Sequence, residues 1–300
     1  MRPLISIVLA AFNEERFIKE ALESILTPYH AREQSYDLEV IAIDDQSSDG
    51  TLEIMRSMPH ETLTVLQNTG KGKVAAFNLG LSVSKGDYVI LFAGDDLFNL
   101  DSVEPRIAPM LAAQGPAATF CAIQAFNHSD GALAQRFPRS GGGARAGGAI
   151  AMNRTFVDLC LPIPEDMPNE DTWLCLHADN LDVTTTDVDV IGMMYRLHDA
   201  NTSAVASNDH ARQRQALLLR SQVYGTFFER HSNRMTDAKI RAIRQEIAAH
   251  AMAGAGNSTA ILFLFGYPVM RRIRAFFLSR DGLWRIRSRL GAALSGWVKS

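Results

Sequence analysis

The sequence contains little cysteine. The three cysteines, Cys121, Cys160 and Cys175, lack the spacing of a zinc site or of a disulfide framework. This excludes a disulfide-stabilised secreted domain and favours a reducing, cytoplasmic compartment. Two phosphate-binding glycine patterns, GxxxxGK[ST] and GxGxxG, are also absent. Their absence argues against a P-loop nucleotidase and against a nicotinamide oxidoreductase.

Long apolar segments are scarce as well. The apolar N-terminal run reaches Asn13 too early for a secretory leader, so we expect none. Residues 251–270 are uncharged, but glycine, asparagine, serine, threonine and proline interrupt them. A membrane span is therefore not the first expectation. With 47% hydrophobic residues in 300, the chain can still build a substantial core.

The formal net charge of −3 conceals an uneven distribution. Residues 261–300 contain eight basic residues and one acidic residue, whereas residues 1–260 have a net charge of −10. The same tail is rich in aromatic residues: Phe263, Phe265, Phe276, Phe277, Trp284 and Trp297. This mixture favours a segment that lies on an anionic membrane surface, with a basic helix packed on an acidic body as the alternative. We expect no nucleic acid partner, because the basic charge is confined to the tail and no recognition module accompanies it.

Strand and helix patterns alternate through the first hundred residues. The predicted strands are Leu4–Ala10, Leu38–Ile43, Leu63–Leu66 and Tyr88–Phe92, with a later one at Val188–Arg196. Helical spacing follows the first three strands and returns over residues 210–249. The pattern predicts an α/β fold with a mostly parallel sheet, helices on both faces and a ligand site at the carboxyl ends of the strands. A glycine-rich segment, residues 140–148, is expected to be a mobile loop, either a lid over a ligand or plain surface.

Acidic pairs follow the predicted strands. Asp44 and Asp45 end the second strand, Asp95 and Asp96 end the fourth, and Glu170-Asp171 lies in a longer polar segment. Neighbouring carboxylates resist joint ionisation unless a cation or hydrogen-bond donors offset them. Mg²⁺ or Mn²⁺ would do so while sharing substrate phosphates. The alternative is that these carboxylates cap turns and helices.

A basic, glycine-containing turn, residues 68–73, precedes the third predicted helix. Glycine lets backbone approach a ligand, and Lys71 and Lys73 would neutralise phosphate near the positive end of that helix. Taken alone, the turn is no stronger a signal than a solvated basic loop.

Five segments together resemble family 2 glycosyltransferases of the GT-A fold. They are SIVLAAFNEERFIKEALESIL, IDDQSSDGT, GKGKVAAFNLGLSVSKGDYVILFAGDD, ARAGGAIAMNRTFVDLCLPIPEDMPNEDTWLCL and YRLHDANTS. The resemblance covers about residues 4–203 and implies a GT-A, Rossmann-like domain over residues 1–203. The nucleotide-binding half would be about 1–100 and the acceptor half about 101–203, with a helical region at 204–300 carrying the membrane-surface tail.

The resemblance also implies roles for individual residues. A nucleotide-diphosphate sugar would contact Ala10, Phe12, Glu14, Asp45 and Asp95, with Lys71 or Lys73 near its base or phosphates. Asp96, the second residue of the family's acidic pair, and His198 would bind the metal. Metal binding would depend on these two all the more, because Ala93 stands where the family often has a further acidic residue. Asp171 would be the catalytic base, and Glu170 and Trp173 would lie on the acceptor side. Trp173 has a core role as its alternative.

The implied activity is inverting transfer of a sugar to a hydroxyl of a glycan or lipid-linked oligosaccharide in surface polysaccharide synthesis, with Mn²⁺ or Mg²⁺ as cofactor. The acceptor-side segment is nearest to bacterial rhamnosyltransferase-like members of the family. Two alternatives stay open: a glycosyltransferase acting on polyprenyl phosphate, and an inactive nucleotide-sugar-binding assembly protein. The expected location is the inner face of the cell membrane.

Overall fold

The computed structural model describes residues 2–58, 61–167, 170–198 and 209–286. Contacts divide the chain into two compact units, Met1–Asp199 and Ala200–Ser300. The N-terminal unit contains one sheet, whose strands are β1 (Leu4–Ala11), β2 (Asp37–Asp44), β3 (Leu63–Gln67), β4 (Tyr88–Ala93), β5 (Leu97–Phe98), β6 (Ala117–Asn127), β7 (Leu133–Phe137), β8 (Ile150–Asn153) and β9 (Thr184–Leu197). Its helices are α1 (Ile18–Ala31), α2 (Thr51–Ser57), α3 (Lys73–Val83), α4 (Val103–Ile107), α5 (Arg154–Cys160) and α6 (Glu170–Asn180).

The first half of the sheet is parallel, as the sequence pattern predicts. Strands run in the order β3-β2-β1-β4, and each neighbouring pair is parallel. From Ile5 to Ala11 every residue of β1 is buried, because helices cover both faces of the strand. The carboxyl ends of β1, β2 and β4 therefore share one edge.

The second half of the sheet is mixed. β8 pairs antiparallel with β4 and β6, β9 runs parallel to β6, and the short β5 pairs antiparallel with β9. The α/β fold class is confirmed, but half of the strand pairings are antiparallel. β6 escapes the sequence pattern because it is buried along nearly its whole length, which removes the alternation of an exposed strand. β9 then returns its carboxyl end toward β4 and brings His198 to the same edge.

The glycine-rich segment packs against the sheet. A side chain at Gly143 would collide with the backbone carbonyl of Phe120, and one at Gly148 would collide with Met193. Arg145 stacks over Phe120 and pairs with Asp187. The glycines of this segment thus permit close packing against the sheet.

The C-terminal unit is helical over the residues described. It contains α7 (His210–His231), α8 (Asp237–Gly254), α9 (Ser258–Leu262) and α10 (Val269–Ser279), and residues 281–286 are also helical. A small core joins Ala253, Ile261 and Ala275. None of the described helices is both long and apolar enough to cross a membrane. Residues 199–208 and 287–300, which include Trp297 and the predicted domain boundary, lie outside the described part of the chain.

Candidate active site

Two loops interlock at the carboxyl ends of β1 and β2. The Asn13 carboxamide accepts a hydrogen bond from the Ser48 amide (2.8 Å), and the Ser47 hydroxyl accepts one from the Asn13 amide (2.9 Å). Asn13 adopts a positive φ of 56°, a conformation that asparagine tolerates better than most residues. This turn leaves the Phe12 side chain 56% exposed at the edge of the sheet. Ala10, the other predicted contact on β1, is buried, and its carbonyl accepts a hydrogen bond from Gly94.

Asp45 organises the basic turn. Its Oδ1 accepts hydrogen bonds from the Asn68 side chain (2.7 Å) and from the Gly72 amide (3.1 Å). Gly72 has a φ of 93°, so a side chain there would be strained where α3 begins. Asp44 instead is buried and accepts from the Ser47 amide, so it caps the loop as the alternative interpretation held. Asp45 therefore couples the end of β2 to the start of α3.

The carboxylates after β4 have different surroundings. Asp95 Oδ2 lies 3.3 Å from His198 Nε2, and the His198 ring packs on Phe17 with their centroids 4.8 Å apart. Asp96 is 2% exposed, and its Oδ1 accepts a hydrogen bond from the Arg196 amide (2.9 Å). The sequence prediction placed His198 with Asp96 on a metal, whereas the structure brings His198 to Asp95. Asp96 points into the protein, where one of its carboxylate oxygens accepts a hydrogen bond from the backbone of β9.

Arg196 is a site residue that sequence reasoning missed. Its buried guanidinium donates from Nε to the Asp95 carbonyl (2.8 Å) and from Nη2 to Glu20 (2.8 Å), and it stacks on Phe17. Arg196 thus holds the Asp95-Asp96 turn through its side chain and through its backbone amide. The arginine lies inside the YRLHDANTS segment, and its place at the end of a predicted strand, two residues before His198, is the signal that could have identified it.

Lys73 links the nucleotide side of the edge to α6. Its ammonium lies 2.7 Å from Glu170 Oε1, and this carboxylate is almost fully buried. Asp171 follows in the first turn of α6, with Oδ1 accepting a hydrogen bond from the Thr172 amide (2.5 Å). Lys71 is exposed on the turn before α3. The structure thus separates the two lysines that the sequence could not, because Lys73 alone of the two has an ion pair with the acceptor-side segment in the described part of the chain.

Two predicted acceptor residues are buried. Trp173 is 1% exposed, and its indole N–H donates to the Cys160 carbonyl (2.9 Å). It therefore has no face for a sugar, and its core alternative is correct. Glu170 is 2% exposed, and a side chain at Gly147 would come within 3.0 Å of its carboxylate. Glu170 is thus buried and pairs with Lys73.

Burial and neighbouring charges shift the pKa values of several groups at this edge. Burial, reinforced by Asp95 and Asp49, raises the pKa of Glu14 to about 8. Burial and the charge of Asp95 raise the pKa of Asp96 well above its usual range. Desolvation opposes the charge of Lys73, but the carboxylates of Glu170, Asp171 and Asp95 outweigh it and raise its pKa. The edge therefore holds a firmly cationic lysine beside Glu14 and Asp96, whose ionisation is disfavoured by burial and by the charge of Asp95.

One carboxylate and one imidazole, at Asp95 and His198, fit a divalent cation such as Mn²⁺. Their facing atoms are 3.3 Å apart, close to the roughly 3 Å that separates adjacent ligands on one octahedral ion. No group of three or more histidine, cysteine, aspartate or glutamate side chains is positioned to hold a metal within the described ranges. The protein would supply two ligands, and such an ion takes its other ligands from substrate phosphate and water.

Comparison with known proteins agrees with this geometry. The profile of glycosyl transferase family 2 matches residues 6–148, which include the interlocked loops, the basic turn and the Asp95-Asp96 pair. These residues belong to glycosyl transferase family 2. The family 2 domain thus contains most of the edge described above, while Asp171, Arg196 and His198 lie beyond the matched stretch.

Relatives of the family 2 domain are transferases in name. Poly(ribitol-phosphate) beta-glucosyltransferase of Bacillus spizizenii is 30% identical over 103 residues, which are 33% of this chain and 16% of that protein. The first eight curated relatives are 26–36% identical, and the chain covers 16–43% of their lengths. The chain therefore spans less than half of each of these relatives.

Solved structures share the fold. S. aureus TarS residues 1–349, in complex with UDP-GlcNAc, align with a TM-score of 0.59 and 15% identity over 94% of this chain and 83% of that one. Mannosyltransferase PcManGT from Pyrobaculum calidifontis, in complex with GDP-Man and Mn²⁺, aligns with a TM-score of 0.58 and 17% identity over 99% and 81%. At 15–17% identity, these alignments show that this chain shares the fold of these two proteins.

Proposed function

We propose that this protein is an inverting glycosyltransferase that moves a sugar from a nucleotide diphosphate to a hydroxyl of a glycan or lipid-linked oligosaccharide. The observation that carries the proposal is the ion pair between Lys73 and Glu170. It joins the nucleotide-binding turn to the helix that begins with Glu170 and Asp171, so a donor and an acceptor hydroxyl would meet at one edge of the sheet. The named activities of relatives and structural neighbours support the same assignment.

The donor would occupy the carboxyl ends of β1, β2 and β4. The exposed ring of Phe12 suits stacking on a flat base, and Asp45 is already fixed by backbone and side-chain donors. Lys73 and the exposed Lys71 would offset the diphosphate charge. Structural neighbours bind UDP-GlcNAc and GDP-Man, which supports a nucleotide-sugar donor without naming the base or the sugar.

Asp171 would act as the general base. Its carboxylate would take the proton of the acceptor hydroxyl while that oxygen forms a bond to the anomeric carbon. The bond between the anomeric carbon and the phosphate oxygen would break on the opposite face, and its electron pair would leave with the nucleoside diphosphate. Asp171 suits this role because it lies in the first turn of α6 and forms no ion pair among the contacts of the described residues.

Asp95 and His198 would hold Mn²⁺ or Mg²⁺. When bound, such an ion offsets the charge that develops on the departing diphosphate. Asp96 would position the pair through its hydrogen bond to the Arg196 amide, which revises the sequence-based assignment of Asp96 as a ligand. The Mn²⁺ of PcManGT supports a divalent cofactor here.

We further place the reaction in surface polysaccharide synthesis at the inner face of the cell membrane. A poly(ribitol-phosphate) beta-glucosyltransferase among the relatives supports a polymer as acceptor. The free cysteines Cys121 and Cys160, both buried, are consistent with a reducing compartment.

A thermal-shift screen of nucleotide sugars with and without Mn²⁺ tests the proposal. Ligand that binds the folded state raises the melting temperature, so one nucleotide sugar should stabilise the wild type, and Mn²⁺ should increase the shift. Asp95→Asn should lose the Mn²⁺ increment, whereas Asp101→Asn, an exposed carboxylate on the same chain, should keep it. Equal shifts with every nucleotide sugar and with simple salts would reject the donor site.

A further inference from the structure

The C-terminal unit presents a contiguous set of exposed apolar side chains, which we call the apolar wedge. Its members are Leu262, Phe263, Phe265, Val269, Met270 and Ile273, exposed by 43–77%. Large exposed apolar residues also occur in the N-terminal unit, but there they are scattered along the sequence, as at Val83, Leu111 and Leu133. A clustered patch of this kind marks an interaction surface, whereas single exposed residues are ordinary.

Side chains of α8 hold the loop of the apolar wedge through hydrogen bonds. The Tyr267 hydroxyl donates to Glu246 (2.8 Å), and the Gln245 side chain donates to the Phe265 carbonyl (3.3 Å). Gly266, between the two anchors, has a φ of 80° and reverses the chain there. Phe263 and Phe265 consequently stand side by side on the surface, their rings 6.4 Å apart.

Helix α10 continues the wedge along one face. At helical spacing Val269, Ile273 and Phe277 fall on one stripe, beside Met270. The opposite side of the helix is packed, since Ala275, Leu278 and Ser279 are buried. The exposed apolar stripe is therefore not the face that completes the core of this unit.

Basic residues border the stripe. Arg272 and Arg274 follow on its two sides by helical spacing, and Arg271 pairs with Glu246 in the protein. Farther along, Asp281 is the one acidic residue among the described positions after 261, and it pairs with Arg285. An apolar stripe between arginines is the arrangement of a helix that lies in the plane of an anionic bilayer surface.

We propose that the apolar wedge inserts into the headgroup region of an anionic membrane, with Phe263 and Phe265 entering deepest and Arg272 and Arg274 meeting lipid phosphates. Lipid is favoured over a second copy of the chain, because two such surfaces would bring like charges together. The attachment is interfacial, in keeping with the absence of a membrane-spanning helix among the described residues. The inference stands apart from the proposed transfer activity, because it uses none of the residues of the candidate active site.

Vesicle flotation of the full-length protein tests the wedge. Vesicles of phosphatidylcholine with about a third phosphatidylglycerol should carry the wild type at low salt, and pure phosphatidylcholine should carry far less. Phe263→Ser/Phe265→Ser should lower the partition coefficient by about tenfold or more, because two apolar rings no longer enter the interface. Arg272→Ser/Arg274→Ser should remove the preference for anionic lipid.

The matched control is Leu111→Ser/Leu133→Ser, which removes two similarly exposed apolar side chains from the N-terminal unit. It should float like the wild type. Failure of the wild type to float, or unchanged flotation of Phe263→Ser/Phe265→Ser with its circular dichroism intact, would overturn the proposal. Dimerisation that the phenylalanine variant abolishes, without any vesicle binding by the wild type, would assign the wedge to a second copy instead.

Discussion

The two units of this protein place charge and apolar surface in opposite ways. In the N-terminal unit the helices cover both faces of the parallel strands, and the polar groups gather at the carboxyl edge of the sheet. In the C-terminal unit Glu246 is largely buried with Tyr267 and Arg271 around it, while the apolar wedge faces outward. The cluster of charged groups and shifted pKa values favours the first unit as a site for chemistry, and exposed apolar surface favours the second as a site for attachment.

The difference also lies in how each functional group is held. At the active edge Asp45 and Asp96 are fixed by backbone amides of neighbouring strands and loops, so their positions follow from the sheet. In the wedge, side-chain contacts from α8 to the loop at Tyr267 do the positioning. We therefore expect changes at the edge to affect turnover and changes in the C-terminal unit to affect membrane binding, each without the other.

The largest effect is expected from Asp171→Asn. Loss of a general base typically costs 10²–10⁴ in rate, so turnover should fall by about a thousandfold while donor binding and vesicle flotation persist. The measurement is release of nucleoside diphosphate with acceptor present, together with the donor-induced thermal shift. Asp166→Asn, an exposed carboxylate five residues earlier, is the control and should turn over normally. Normal turnover by Asp171→Asn would place the base elsewhere.

A second prediction concerns the ion pair between Lys73 and Glu170. Lys73→Ala should lower the free energy of unfolding of the N-terminal unit by about 2 kcal/mol, because Glu170 is left buried without its partner and solvent softens the loss. Urea denaturation measures the change. Lys73→Ala/Glu170→Gln should recover part of the loss, since the uncompensated charge is gone. Lys19→Ala, which removes an exposed pair with Glu23, should change stability by less than about 0.5 kcal/mol.

A result in which Lys73→Ala and Lys19→Ala cost the same would mean that the pair between Lys73 and Glu170 contributes no more to stability than an exposed pair. It would also weaken the contrast between a charged edge and an apolar wedge, because the edge would then not depend on its buried carboxylate being paired.

Sequence reasoning located the parallel half of the sheet because each of its strands shows a recognisable pattern within its own short segment. Leu4–Ala10 and Tyr88–Phe92 are short apolar runs that end in polar turns, and the structure has strands at both. The mixed half depends on pairing between distant segments, such as β6 with β9, and no local period records it. The β6 run also contains four alanines and a cysteine, which carry little strand preference.

The candidate site divides in a similar way. Asp45, Asp95 and Asp171 follow strand ends or begin a helix, so their neighbourhood follows from topology. The partner of each charged group does not follow from topology. The pairing of Lys73 rather than Lys71 with Glu170 depends on side-chain placement. The same holds for His198, which faces Asp95 rather than Asp96. Burial of Trp173 likewise depends on its indole N–H reaching the Cys160 carbonyl.

A third prediction uses the pH dependence of the C-terminal unit. Burial lowers the pKa of His250 to about 4; Glu246 opposes this shift, and the neighbouring arginines Arg220, Arg274 and Arg271 add to it. The unfolded chain, with a histidine pKa near 6.5, binds more protons than the folded unit between pH 6.5 and 4. Stability from this group is therefore full above pH 6.5 and falls by about 3 kcal/mol as the pH falls to 4.

His250→Gln should flatten that part of the pH profile, measured as the urea midpoint of the C-terminal helices by circular dichroism between pH 4 and 7. His30→Gln, at an exposed histidine of α1, is the control and should leave the slope in place. An unchanged slope in His250→Gln would assign the acid sensitivity to carboxylates. The buried His250 would then not be what makes the C-terminal unit sensitive to acid.

The smallest effect is expected at the helix that leads into the wedge. Asn257 caps α9: its side-chain oxygen accepts hydrogen bonds from the Ala260 amide (3.2 Å) and from the Thr259 hydroxyl (3.2 Å). Asn257→Ala should cost about 1 kcal/mol, because an amide at the helix start loses its partner, whereas Asn257→Asp keeps a capping oxygen and should cost little. Hydrogen exchange followed by mass spectrometry should show faster exchange in α9 for the alanine variant, with β1 and β4 unchanged. Faster exchange in the sheet as well would mean that the two units unfold together, and the separation of chemistry from attachment would then not extend to their stability.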